Sequence, residues 1–118
     1  MTHARTALGA RAEALVARRL ELEGFTIVGR NVRVGRDEID IVARRGGLLV
    51  FCEVRSRSGL PTFSPAETIT HAKRMKVRRA ASAWLRANGG SAEIRLDAAA
   101  VSFPSGSEPI VDYFEDAL

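Results

Sequence analysis

Along residues 6–23 the apolar positions Leu8, Ala12, Leu15, Val16, Leu20 and Leu22 recur at three- and four-residue steps. That is the period of an amphipathic helix with one buried stripe. Ala, Leu, Arg and Glu fill the positions between, all good helix formers. Gly24 stands where a helix of this length would stop. The period then changes. Residues 25–34 are rich in branched side chains and predict a strand, in which Gly29 marks a bulge or a close backbone approach. The segment EIDIVARRGGLLVFCEVR places two strand-like runs around Gly46-Gly47, a hairpin signal. Residues 56–63 read as a polar loop. Ser64-Pro65-Ala66-Glu67 has the form of a capping box with Pro at the first helical position, which predicts a short turn of helix. Thr70 is placed to cap a long helix over residues 71–88. Its apolar face comprises Met75, Val77, Ala80, Ala81, Trp84 and Leu85, and Gly89-Gly90 ends it. Two late strands follow, at about 92–103 and 109–114, with turn residues 104–108 between them. The order α-β-β-β-α-β-β predicts an α/β sheet with helices packed on it.

The chain has 118 residues, 46% hydrophobic and 27% charged. This is the size and balance of a single globular domain. No run approaches the roughly 18 apolar residues of a membrane span. The N-terminal stretch MTHARTALGARAE lacks the apolar core of a secretory signal. Cys52 is the sole cysteine, which excludes an intramolecular disulfide and a four-cysteine zinc site. It suits a reducing compartment, and a cytoplasmic location is the expectation. His3 and His71 with Cys52 would make at best a poor zinc site, and His3 lies in a tail expected to be disordered.

Charge narrows the choice of partner. Lys and Arg number 18 against 14 acids, a net of +4, and 16 of the 18 are Arg. Arg grips phosphate in a planar fork, so nucleic acid is a natural partner. The 18 alanines beside those arginines fit GC-rich coding equally well. Lys73, Arg74, Lys76, Arg78 and Arg79 crowd one helix. They make either a phosphate-tracking face or a solvated one.

The hairpin carries the chemistry. With Gly46-Gly47 as the turn, counting back puts Asp40 directly opposite Glu53, with Cβ atoms about 4.5–5.5 Å apart. Strand alternation puts Asp40, Glu53 and Arg55 on one face, and Val50, Cys52 and Val54 on the other. Opposed carboxylates repel, and a hard divalent cation such as Mg²⁺ would remove that penalty. Two acids with a cation beside them suit metal-assisted phosphodiester cleavage. Glu13, at the border of the first helix's apolar stripe, could reach over the sheet edge toward the same point. Gly9, one turn earlier, would leave room there for a phosphate or a neighbouring chain. Blander readings stand beside these. Asp40 and Glu53 could be surface acids facing Arg33 or Arg55. Glu13 could be solvated beside Arg18 or Arg19, and Arg55 could simply pair with Glu53. Trp84 and Cys52 read as core.

Five segments together resemble the YraN-like family of bacterial proteins. They are Leu8-Gly9-Ala10-Arg11-Ala12-Glu13, Gly24-Phe25 with Arg30-Asn31, Glu38-Ile39-Asp40-Ile41-Val42-Ala43, Val50-Phe51-Cys52-Glu53-Val54-Arg55-Ser56-Arg57, and the stretch from Ser64-Pro65-Ala66-Glu67 through Lys73, Arg78, Ala80-Ala81 and Trp84-Leu85. The resemblance covers about residues 6–90. That family looks like part of the restriction-endonuclease-like nuclease superfamily, similar to archaeal Holliday-junction resolvases. The resemblance implies a three-layer fold with a mixed central sheet flanked by helices. It implies a Mg²⁺- or Mn²⁺-dependent endonuclease acting on DNA, branched or flapped. Asp40 and Glu53 would hold the metal with the Val54 carbonyl, and Glu13 would orient a metal-bound water. Position 55 would be the catalytic cation. The family usually has Lys there and this chain has Arg55, which can stabilise charge but cannot act as a base. Asp37 stands where Gly commonly precedes Glu-Ile-Asp, a change expected to alter loop flexibility beside Asp40. Lys73, near the start of its helix, is the candidate to take over the role that position 55 has lost. Arg57, Lys73, Arg74, Lys76 and Arg78 would contact nucleic acid. The alternative is a binding module that kept the acids and lost cleavage; a third reading is an interaction protein whose basic helix meets an acidic partner. Junction resolution would call for a homodimer, though no dimer face is legible in the sequence.

Overall fold

The computed structural model describes residues 6–60, 70–90 and 93–118. Helix α1 spans Ala7–Leu22, strands β1, β2 and β3 span Thr26–Val34, Asp37–Arg45 and Leu48–Ser58, helix α2 spans His71–Asn88, and strands β4 and β5 span Glu93–Phe103 and Ile110–Phe114. The expected order α-β-β-β-α-β-β is the observed one among the described residues. The expected turn of helix at Ser64-Pro65-Ala66-Glu67, and His3, lie outside them.

Local chemistry sets the helix ends where the sequence puts them. Thr6 caps α1, its hydroxyl accepting from Gly9 N at 2.9 Å. At the other end Gly24 takes φ +92°. Its N–H donates to the Glu21 carbonyl while Phe25 N–H donates to Leu20. This is the paired closure that a left-handed residue permits. Thr70 caps α2 by accepting from Lys73 N at 3.2 Å.

The five strands lie in sequence order, β1-β2-β3-β4-β5. β1, β2 and β3 pair antiparallel, β3 and β4 pair parallel, and β4 and β5 pair antiparallel. The sheet is mixed because α2 carries the chain back to start β4 alongside β3. Both faces are covered. Ala12, Val16, Ala17 and Leu20 of α1 pack with Ile41, Ala43, Val50 and Cys52. Ala80, Ala81 and Trp84 of α2 pack with Val42, Leu49 and Phe51 on the opposite face. Trp84 meets Phe51 edge-on, ring centroids 5.6 Å apart. Ala98, Ala99, Ala100 and Val101 of β4 are buried in succession, as a strand covered on both faces requires.

Three expectations need correction. Residues 56–58 are strand, not loop: they continue the parallel ladder beside Val101, Ser102 and Phe103, a tertiary pairing that local polarity does not reveal. Leu22, placed on the apolar stripe of α1, is 71% exposed, because a two-residue step from Leu20 turns it to the opposite side of the helix. Met75 of α2 is 49% exposed, and the buried line of that helix begins at Val77. Gly29 does mark a bulge, since the β1–β2 register shifts between Ile27 and Gly29. It also marks a close approach: a Cβ there would sit 2.7 Å from Val32 Cγ2. Among the described residues no helix is long and apolar enough to cross a membrane.

Candidate functional site

The β2–β3 ladder runs from Arg45 opposite Leu48 to Ile41 opposite Cys52. The ladder stops there, one residue short of the Asp40–Glu53 pair that counting from the turn predicts. There the backbone exchange gives way to a side chain: Asp40 Oδ2 accepts from Val54 N–H at 2.7 Å. Glu53 turns to the other helix. Lys73 Nζ stands 2.7 Å from Glu53 Oε1, with the two side chains 31% and 12% exposed. Lys73 lies in the first turn of α2, and its own backbone N–H is the one that Thr70 caps. The cap therefore fixes where this side chain leaves the helix.

Glu13 arrives from α1. It is buried, at 7% exposure, between Ala12 and the Val16–Ala17 contact with the sheet, which corrects the solvated reading. The Gly9 gap is filled locally: the atom nearest a Cβ there is the capping Thr6 hydroxyl, at 3.0 Å.

Asp40 is the acid whose carboxyl is displaced most clearly from its ordinary value. Burial, first, and then the Glu53 carboxylate push the Asp40 carboxyl up to about 7. Glu13 pushes the same way, while the Val54 N–H and the Lys73 ammonium pull it down. β2 and β3 thus contribute one acid each to a partly buried site, and Glu13 of α1 adds to the negative potential at Asp40. Among the described residues, no three Asp, Glu, His or Cys groups already surround one point as a ready metal cage. Asp40 is held toward the Val54 amide and Glu53 toward Lys73. The donor set itself, carboxylate oxygens with excess negative charge, fits a hard divalent cation and not a soft one.

The cations are more dispersed. Arg55 follows Glu53 on β3, half-buried, beside Ala100 of β4. Arg57 is exposed beside Ser102. On α2, Arg74 is half-buried and Lys76 exposed. Arg78 donates to the Leu118 carbonyl at 3.4 Å, so part of its charge is spent inside the molecule. His71 is exposed at the first position of α2. Cys52 is fully buried in the α1-side core, where burial raises its thiol well above the ordinary range.

Three further residues have roles that sequence reasoning did not assign. Asp37 opens β2 and is buried, with Arg79 Nε and Nη2 donating to its two oxygens at 2.7 and 2.8 Å. It clamps α2 to the sheet where a change in loop flexibility was expected. An acid at the foot of a strand and an Arg on the covering helix gave no local signal of this pairing. Asn31 has φ +52°. The pairs Arg30–Ile41 and Val32–Ile39 leave it opposite Asp40 in the register, and its Oδ1 is buried without a hydrogen bond. Asn is the residue that tolerates this conformation after Gly, a signal the sequence did hold. Asp97 is fully buried and takes hydrogen bonds from Arg95, Tyr113 and the Asp116 amide. An acid set before three alanines was its signal.

Residues 12–101 match the family described as "Uncharacterised protein family UPF0102". A UPF0102 protein of Rhodococcus jostii (strain RHA1) is 41% identical over 113 residues, covering 95% of this chain and 96% of its own length. One from Streptomyces coelicolor is 41% identical over 114 residues, covering 94% of this chain and 88% of that protein. One from Anaeromyxobacter dehalogenans is 45% identical over 115 residues, covering 97% and 85%.

Proposed function

The chain belongs to the UPF0102 family, and from its site we propose that it is a divalent-metal-dependent endonuclease of the restriction-endonuclease-like superfamily, acting on DNA that is branched or flapped. What supports this reading is the pair of acids beside the hairpin end: Asp40 Oδ2 accepts from Val54 N–H at 2.7 Å, Glu53 Oε1 lies 2.7 Å from Lys73 Nζ, and burial with the Glu53 charge pushes the Asp40 carboxyl up to about 7. Asp40 and Glu53, with the Val54 carbonyl, would hold Mg²⁺ or Mn²⁺. When bound, the ion would supply Lewis-acid polarisation of a phosphoryl oxygen and a more acidic water. Glu13, buried on α1, would orient that water. Lys73 brings an ammonium to the carboxylate whose strand neighbour, Arg55, replaces the usual lysine. This supports giving Lys73 the role of placing positive charge at the cleaved phosphate, with Arg55 adding a fixed one. Arg57, Arg74, Lys76 and Arg78 would track the phosphate backbone around it.

The test is a panel of branched, flapped, single-stranded and duplex DNAs incubated with Mg²⁺ or Mn²⁺. The expected result is cleavage that chelator abolishes and that Asp40→Ala and Lys73→Met each reduce by about 100-fold or more. Cleavage equal in wild type and Asp40→Ala would sink the reading. The Lys73–Glu53 ion pair favours a second reading, a nucleic-acid-binding module without cleavage, because it satisfies Glu53 with no metal at all. Such a module would retard labelled DNA in EDTA with steep salt dependence and cut none of the panel.

A further inference from the structure

We infer that Lys73 is the resident counter-ion of this site and competes with a divalent cation for Glu53, so that the ion enters by displacing the ammonium. The inference rests on the proposed metal reading and specifies how the site is regulated. The geometry is direct: Nζ and Oε1 are 2.7 Å apart, a charge-assisted hydrogen bond at full strength. A Mg²⁺ ion binds its oxygen ligands at about 2.0–2.1 Å in a strict octahedron. An ammonium held on the same carboxylate would lie within a few ångströms of that ion and repel it. One of the two must leave, and the lysine is the one built to move. Its stem is flexible and its side chain is 31% exposed, against 12% for Glu53. Its backbone is anchored meanwhile, because Thr70 holds its N–H and α2 is clamped through Arg79 to Asp37.

Two consequences follow. In the free protein Lys73 neutralises part of the acidic cluster, which lets Asp40 and Glu53 coexist without metal. When a phosphate approaches, it draws the ammonium off Glu53 and opens that carboxylate to the ion. Ion and polyanion therefore strengthen each other's binding, by a single reciprocal coupling. Resting ion affinity is correspondingly low.

The experiment is calorimetric titration of Mn²⁺ into the metal-stripped full chain, in wild type, Lys73→Met, Lys73→Gln, Lys73→Arg and Asp40→Asn. The Met and Gln variants should bind Mn²⁺ roughly five- to tenfold more tightly than wild type, about the weight of one partly exposed ion pair. Lys73→Arg, which keeps the charge, should stay near wild type. In EDTA, the Met and Gln variants should melt below wild type, and saturating Mn²⁺ should raise their midpoints by more. Equal or weaker Mn²⁺ binding by the Met and Gln variants, with wild-type binding lost in Asp40→Asn, would overturn the competition and leave the metal reading standing. No Mn²⁺ uptake by any of the proteins would overturn both.

Discussion

Asp40 is a carboxyl whose usefulness comes from the groups it is forced to stand near. Its ordinary value is 3.8, and burial with Glu53 and Glu13 raises it to about 7. Between those values the native state keeps a proton that the unfolded chain has released. Stability therefore falls as pH rises through that window and is lowest above 7, where the carboxylate is charged and confined. Asp40→Asn preserves the acceptor for Val54 N–H and removes the charge. In EDTA it should melt several degrees above wild type at pH 8, and the gap should close toward pH 5. A thermal scan across that range checks it; a gap that is constant with pH would show that Asp40 does not titrate there. The reverse holds for the metal. Mn²⁺ affinity of the wild type should weaken as pH drops below about 7, because proton and ion compete for the same oxygen.

At the scale of elements, α2 and β1 do the positioning. α2 brings Lys73 to the site only because its face of Val77, Ala80, Ala81 and Trp84 beds on the sheet and because Arg79 grips Asp37 at two points. Arg79→Ala would leave the Asp37 carboxylate buried with its main partner gone. Its melting midpoint should fall by a few degrees, and under the proposed nuclease reading cleavage should fall with it. The reversed pair, Asp37→Arg with Arg79→Asp, should recover part of the loss. β1 is an edge strand, bent by its bulge at Gly29. A methyl group at that position would lie 2.7 Å from Val32 Cγ2, within a side chain too short to swing clear. Gly29→Ala should cost about 1–3 kcal/mol in urea unfolding. The cost should shrink in a Val32→Ala background. An equal cost in both backgrounds would mean that backbone freedom, and not the contact, is what Gly29 supplies.

For the molecule as a whole, the buried Asp97 network ties the end of the chain to the sheet. Arg95 bridges Asp97 to Glu115. Tyr113 and the Asp116 amide close on the same carboxylate, and Leu118 N–H donates to the Leu96 carbonyl at 3.2 Å. β5 pairs along its whole length with residues 98–102 of β4, and this network adds to that ladder. Asp97→Ala would leave Arg95 with Glu115 alone and remove the acceptor of two further donors, and should cost about 1–3 kcal/mol, measured by urea unfolding. Tyr113→Phe removes one donor and should cost nearer 1 kcal/mol.

The amino-acid sequence by itself determined the elements and their ends. Helix periodicity, the Thr70 cap, Gly24, the Gly46-Gly47 turn and the Gly29 bulge are all local signals, decided within a few residues by backbone sterics and hydrogen-bond supply. It also determined the hairpin register from Arg45–Leu48 to Ile41–Cys52, because a tight hairpin transmits its register by counting. Only the tertiary structure decided what the acids do with their charge. Lys73 lies 20 residues from Glu53, Arg79 lies 42 residues from Asp37, and Glu13 comes from a separate helix. Such partners are chosen by how α1 and α2 bed on opposite faces of the sheet, which no local pattern encodes. The same reason hid the strand character of residues 56–58. Their polar side chains read as loop until β4 arrives beside them and offers a backbone ladder to join.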